Sequence, residues 1–373
     1  MRGVSILVVL ILHFHLAYNL VQSPFARIFG ADFVSAVSRN GNYGVTIFFV
    51  ISGYLITSMS MRRFGSLATI SARRFYVFRF ARIIPCLVLV LTVITTLGVL
   101  GLPHFRSDGP PSFFVADLSV LTFWHNVLMA KVGYFNYGLN ILWSLSVEEV
   151  FYLTFPLIWL LLRRTRWIVP VWIAAIVFGP IYRSWAADDE IRFLYGYFAC
   201  FDAIAMGCCV AVLARWLKSR HITIGSRGRN LIQVAAGVFI AWIYLREAIG
   251  DSAVFGPSLV ALGAAIFVLS EAIWRPGENS HPFRWEPIGW LGQRSYELYL
   301  FHIVVLALMR NIVDRGHLEP ARKPIWFLVF LVASTAVAAA IARFYSEPLN
   351  QRLRSALGGL GPKASSQMTT ALD

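Results

Sequence analysis

The chain has 373 residues, of which 58% are hydrophobic and only 14% charged, and it carries a net charge of +14. Soluble domains hold about 25% charged residues, so a soluble globular protein is excluded, and no polar stretch is long enough to fold as a separate soluble unit. The positive excess fits basic loops that hold membrane helices in orientation better than a nucleic-acid footprint, and no nucleic-acid partner is expected.

Apolar runs of about 20 residues, each able to span a bilayer, recur along the whole chain. The first, Gly3–Leu20, follows one arginine as a secretion signal would. No small-x-small cleavage site follows it, so it reads as a retained helix. The next cores are Gly44–Ser60, Ile83–Gly101, Leu142–Leu162, Trp167–Ile181, Phe193–Leu213, Leu231–Leu245, Val254–Ile273, Ile288–Met309 and Ile325–Phe344. Phe113–Leu128 carries Asp117 and His125 and fits an interfacial position as well as a span. Ser52-Gly53 is expected to interrupt the second helix, Pro85 to lie near the start of the third, and Glu347-Pro348 to end the tenth. The expected fold is an all-α integral membrane bundle of about ten transmembrane helices: one domain over 1–357 and a short polar tail over 358–373. Cys86, Cys200, Cys208 and Cys209 lie in apolar runs without metal or disulfide spacing. They read as small hydrophobes, and no metal site is expected.

With an even number of spans and both termini in the cytoplasm, the inner segments hold 21 of the 33 Lys and Arg residues, the outer ones 11, and Arg343 sits inside the last helix. The outer loops also take most of the loop acids, among them Asp188, Asp189, Glu190, Asp314 and Glu319.

A charge at mid-bilayer costs roughly 2.5–3.5 kcal/mol on insertion scales, so ionisable residues inside spans mark candidate sites. They are Arg2, His13 and His15 in the first helix, Glu148 and Glu149 in the fourth, Asp202 in the sixth, Glu297 and His302 in the ninth, and Arg343 and Glu347 in the tenth. Spread over five helices, they point to a polar cavity inside the bundle. Arg2 and His13 are eleven residues apart, which is about three turns and a rise of about 16 Å on one helix face. Arg2 is expected at the cytoplasmic edge and His13 near mid-membrane, with His15 on the opposite face. Arginine recognises phosphate, and neutral imidazole takes a hydroxyl proton. Spacing alone leaves open a topology charge and an interhelical hydrogen bond. The stretch Arg62–Arg82 carries Arg62, Arg63, Arg73, Arg74, Arg79 and Arg82, interleaved with Phe75, Tyr76, Phe78 and Phe80. Arginines with stacking aromatics suit coenzyme A, and equally the anionic headgroups of the inner leaflet.

Six segments in order resemble the acyltransferase-3 family of bacterial membrane acyltransferases over nearly the whole chain. They are Arg2-Gly3 with His13 ten residues on; Gly44-Val-Thr-Ile-Phe-Phe-Val-Ile-Ser-Gly53; Arg79-Phe-Ala-Arg82-Ile-Ile-Pro85; Trp143-Ser-Leu-Ser-Val-Glu148-Glu149-Val-Phe-Tyr152; Ser295-Tyr296-Glu-Leu-Tyr299-Leu-Phe-His302; and Tyr345-Ser-Glu347-Pro348. The resemblance implies ten or so helices in a bacterial inner membrane, an acyl-CoA (usually acetyl-CoA) as co-substrate with no bound cofactor, and a carbohydrate or glycolipid acceptor reached from the outer face. The family's important residues map to Arg2, His13, Arg82, Glu148 and His302. The expected catalytic groups are therefore His13, Glu148 and His302. The expected substrate-binding groups are Arg2, Arg73, Arg74, Arg79, Arg82, Ser52, Trp143, Tyr152, Asp202, Tyr299 and Glu347. Two departures stand out: Thr46 replaces an acid common in the family, and only Met1 precedes the signature arginine. The esterase-like domain that many members append is not expected, so transfer should finish within the bundle. Rival readings are acylation of a small molecule such as a macrolide, a glycolipid transporter or flippase, since buried acids and histidines also mark proton relays, and a non-catalytic membrane scaffold.

Overall fold

A computed structural model describes residues 1–64, 71–107, 109–162, 165–246, 254–275 and 286–358. In chain order the helices are α1 (Arg2–Tyr18), α2 (Pro24–Phe29), α3 (Ala31–Arg39), α4 (Asn42–Phe64), α5 (Ala72–Val99), α6 (Phe113–Leu121), α7 (His125–Val132), α8 (Trp143–Leu162), α9 (Thr165–Trp185), α10 (Glu190–Tyr195), α11 (Tyr197–Ser219), α12 (Ser226–Arg246), α13 (Gly256–Ala272), α14 (Glu286–Gln293), α15 (Ser295–Ile312), α16 (Lys323–Ile341) and α17 (Glu347–Gly358). Each of the ten expected spans coincides with one of α1, α4, α5, α8, α9, α11, α12, α13, α15 and α16. Seven helical stretches among the described residues are long and apolar enough to cross a membrane, and α1 and α13 are shorter apolar helices. The all-α membrane architecture is as expected.

The boundaries differ where local chemistry outweighs the hydropathy pattern. α4 runs unbroken through Ser52-Gly53, because the glycine serves close packing rather than a break. A methyl group on Gly53 would collide with the backbone carbonyl of Ile204, and one on Gly207 with that of Val50, so α4 and α11 touch backbone to backbone. The third span begins at Ala72 instead of Ile83. Arg73, Arg74, Arg79 and Arg82 are therefore helical, since arginine is a good helix former, and Pro85 lies inside the helix. Proline leaves the Ala81 carbonyl without its helical donor; two tyrosines bond to neighbouring carbonyls, Tyr296 donating to Ile83 O at 2.8 Å and Tyr345 to Pro85 O at 3.3 Å. Glu347-Pro348 does not end the last helix. A π turn over Ala342–Ser346 leads into α17, and Pro348 sits in its first turn, where a missing N–H costs little. The sixth span divides at Gly196 into α10 and α11, and the ninth at Arg294 into α14 and α15. Phe113–Leu128 falls on α6 and the start of α7, with Asp117 accepting a bond from Thr95 at 2.8 Å. The polar tail lies outside the described residues, apart from its first position, as do 65–70, 163–164 and 276–285 of the basic segments.

Burial sorts the helices. The stretches containing α4 and α11 bury 56% and 61% of their apolar windows, those containing α12 and α16 only 17% and 22%. The first pair forms the interior and the second presents apolar faces outward, as lipid-facing spans do. Gly44 of α4 faces Ser5 and Val8 of α1, while Gly41, just before α4, faces Leu12. The two helices therefore run antiparallel. Arg2 lies beside the first half of α4, which continues roughly 25 Å beyond it at 1.5 Å per residue.

Candidate active site

The first ends of α1, α5 and α15, most of the length of α4, the first half of α8, and α17 line a cavity of about 160 Å³. Five arginines line it, Arg2, Arg63, Arg79, Arg82 and Arg354, against one carboxylate, Glu148. Arg79 and Arg82 are three apart on α5 and so share its cavity face. Arg63 and Arg354 lie over the Phe78 ring, at 3.9 and 5.4 Å from its centroid, and Arg79 lies 4.0 Å over Tyr152. Arg2 Nε, Arg354 Nε and Arg354 Nη1 are buried without a hydrogen-bond partner. Burying an unpaired donor of this kind is costly, and an anionic ligand with several oxygen acceptors would satisfy all three.

Glu148 accepts a bond from Tyr152 Oη at 3.4 Å, and Tyr152 in turn accepts from Ser52. The carboxylate is within electrostatic reach of Arg79, Arg2 and Arg82. At the far end of the cavity, Tyr299 Oη donates to Ile141 O at 2.9 Å and accepts from Ser144 Oγ at 2.7 Å. The Tyr299 ring lies 5.9 Å from His302, whose ring meets His13 edge-on at 4.8 Å. His13 Nδ1 bonds to Val9 O at 2.9 Å and His302 Nδ1 to Leu298 O at 3.1 Å. A carbonyl can only accept, so both Nδ1 atoms carry the proton, and each neutral ring keeps a lone pair on Nε2. His302 Nε2 is buried without a partner. The pair therefore offers two proton acceptors and no donor. His15 is turned elsewhere: its Nδ1 accepts from the Leu20 N–H at 3.2 Å, which makes it a cap for the turn after α1.

Of the residues expected at the site, Arg2, Ser52, Arg79, Arg82, Glu148, Tyr152 and Tyr299 line the cavity, and His13 and His302 adjoin it through Tyr299. Glu148 meets Tyr152 and the arginines. Arg73, Arg74 and Glu347 are exposed and lie off the cavity. Trp143 and Asp202 line a second, smaller cavity of about 30 Å³. Asp202 pairs there with Arg183 at 2.8 Å, each 1% exposed, and also accepts from Ser258 at 2.6 Å. Arg183 donates further to Val254 O at 2.7 Å and to Ala199 O. Sequence reasoning left Ser144 and Arg354 out of the site, and named Arg63 only within the basic stretch. Arg354 lies beyond the point where the last helix was expected to stop, and the amphipathic spacing of 347–358 was the signal that could have found it.

Bundle and cavity together define a polytopic α-helical membrane protein with a cationic internal chamber and a pair of histidines, His302 buried and His13 half-buried. The acyltransferase-3 family model, described as an acyltransferase domain, matches residues 1–343, and the chain belongs to that family. Among curated relatives, it is 29% identical over 342 residues to peptidoglycan O-acetyltransferase OatA of Listeria monocytogenes, covering 84% of this chain and 52% of the relative. It is 26% identical over 351 residues to O-acetyltransferase OatA of Staphylococcus aureus, covering 89% and 56%. It is 27% identical over 336 residues to the Bacillus subtilis protein named putative peptidoglycan O-acetyltransferase YrhL, covering 83% and 50%. The chain thus spans about half the length of the curated relatives it matches. No solved structure matches it.

Proposed function

We propose that this protein is a membrane-bound O-acyltransferase that moves an acyl group, acetyl in the first instance, from acyl-CoA to a hydroxyl of a cell-surface carbohydrate. The observation that carries the reading is the arginine chamber in a chain of this family. Five guanidinium groups against one carboxylate suit a donor bearing a diphosphate and a further phosphate. The relatives' names place peptidoglycan first among acceptors to be tried.

In the reaction, the donor phosphates rest on Arg63, Arg354, Arg79, Arg82 and Arg2, and the thioester points towards Tyr299. His13 or His302 takes the proton of the acceptor hydroxyl on Nε2. The hydroxyl oxygen attacks the thioester carbonyl carbon, the C–S bond breaks, and the departing thiolate collects the proton. The two lone pairs of the histidine pair suit this, because a hydroxyl between them supplies the donor that they lack. The bias of basic residues favours a bacterial plasma membrane protein with both termini and the donor chamber on the cytoplasmic side.

Membranes holding this protein are to be supplied with acetyl-CoA labelled on the acetyl group, and the label followed into glycans, glycolipids and protein. Transfer by wild type that disappears in His13→Ala at matched expression supports the reading, and the labelled product identifies the acceptor. Label in a macrolide-type small molecule would redirect the acceptor. Absence of both transfer and acyl-CoA binding would reject the reading in favour of a transporter.

A further inference from the structure

Phe49 lines both cavities. On one side of it lies the arginine chamber, which opens towards Arg63 and Arg354. On the other lies the small cavity walled by Asn42, Thr46, Trp143, Cys200 and Asp202. Asn42 begins α4 and Arg63 nearly ends it, so the two cavities approach Phe49 from opposite ends of the bundle. The ring is 3% exposed and meets Trp143 edge-on, at 6.1 Å between centroids and 81° between planes. Trp143 is itself held by Tyr195 at 4.4 Å. Trp143 is thus a fixed post, and Phe49 is a ring resting on it without a polar bond.

We propose that the small cavity receives the acceptor hydroxyl on its way to the histidine pair, and that Phe49 is the partition separating it, until then, from the thioester in the arginine chamber. This rests on the acyl-transfer reading above. A cavity of about 30 Å³ holds one water or one hydroxyl, not a whole sugar. Asn42, which bonds to Tyr195, and Thr46 put polar side chains on its α4 wall. Asp202 is saturated by Arg183, Ser258 and the Ala203 N–H at 2.8 Å, so that pair builds the wall and leaves recognition to Asn42 and Thr46. A phenyl ring at the junction has a chemical purpose. Water admitted from the small cavity would attack the thioester carbonyl carbon, break the C–S bond, and release a carboxylic acid and free thiol. Excluding water until the acceptor arrives suppresses this loss. Phe49 is a positioning residue, with no part in proton transfer.

The test uses the full chain in lipid nanodiscs with acetyl-CoA, reading free thiol without acceptor and label transfer with it. In Phe49→Ala, thiol release without acceptor should rise several-fold and the ratio of transfer to hydrolysis should fall. Phe49→Leu, which keeps most of the volume, should lie between Phe49→Ala and wild type. A second readout does not depend on catalysis. With Cys86, Cys208 and Cys209 replaced by Ala, a small anionic thiosulfonate supplied only from the arginine side of sealed vesicles should label Cys200 in Phe49→Ala and not in wild type. Unchanged thiol release with Cys200 still protected, in a variant that melts like wild type, would overturn the partition. If Phe49→Ala does not fold, the same two readouts on Phe49→Leu decide the matter in the same way. If wild type neither transfers nor hydrolyses, yet Cys200 becomes labelled in the variant, the partition stands and the acyl-transfer reading falls.

Discussion

His13 and His302 share one arrangement, with Nδ1 tied to the carbonyl four residues back and Nε2 left as an acceptor. If they act as a unit, either His→Asn variant should lose about 10²–10⁴ of the transfer rate, the usual worth of general-base catalysis. The double variant should be little worse than the poorer single one; rates that multiply would assign the two rings independent tasks. The arginines divide differently. Arg354→Ala should weaken acyl-CoA binding about tenfold to a hundredfold, the worth of a charged hydrogen bond at about 1.5–3 kcal/mol. Lysine should not restore it, because a point charge cannot replace the fork. Arg73→Ala and Arg74→Ala, both exposed, should leave binding within about a factor of two. Isothermal titration with a non-hydrolysable acyl-CoA analogue measures all of these.

Helices were legible as apolar runs, and polar residues within them as a cavity, because both follow from the cost of placing charge in a bilayer. Hydropathy could not mark a start or stop where charged residues continue a helix, which is why α5 was placed eleven residues late and α17 was missed, with Arg354 on it. Nor could it separate residues that bind from residues that brace. Asp202 is as buried as any catalytic acid, and only its bonds to Arg183 and Ser258 disclose its role. Asp202→Ala strands a guanidinium in the interior and should cost about 3–5 kcal/mol, read as a lower melting temperature in detergent. Gly53→Val should cost about 1–3 kcal/mol by forcing α4 from α11; a variant that melts like wild type would show that the close approach is dispensable.

On the scale of the whole molecule, two cavities of unequal size approach Phe49 from opposite ends of one bundle, an arrangement that the proposed transfer from one side of a membrane to the other would use. Orientation is open to direct test in a chain freed of its native cysteines. An impermeant maleimide added to intact cells should label Lys131→Cys on α7 and spare Arg352→Cys on α17. The reverse pattern would turn the arginine chamber outward and remove cytoplasmic acyl-CoA as its ligand.

The π turn between α16 and α17 holds about one residue more than an α turn would. Deleting the exposed Phe344 should relax it to a regular helix, with the chain on both sides presenting the same faces and Arg354 still at the chamber. Deleting Gln351, seven residues further on in regular helix, should rotate everything beyond it by about 100° and carry Arg354 away from Phe78. Loss of a single codon would thus be silent at one position and disabling at the other, making this turn a place where chain length can drift while the site stays in register.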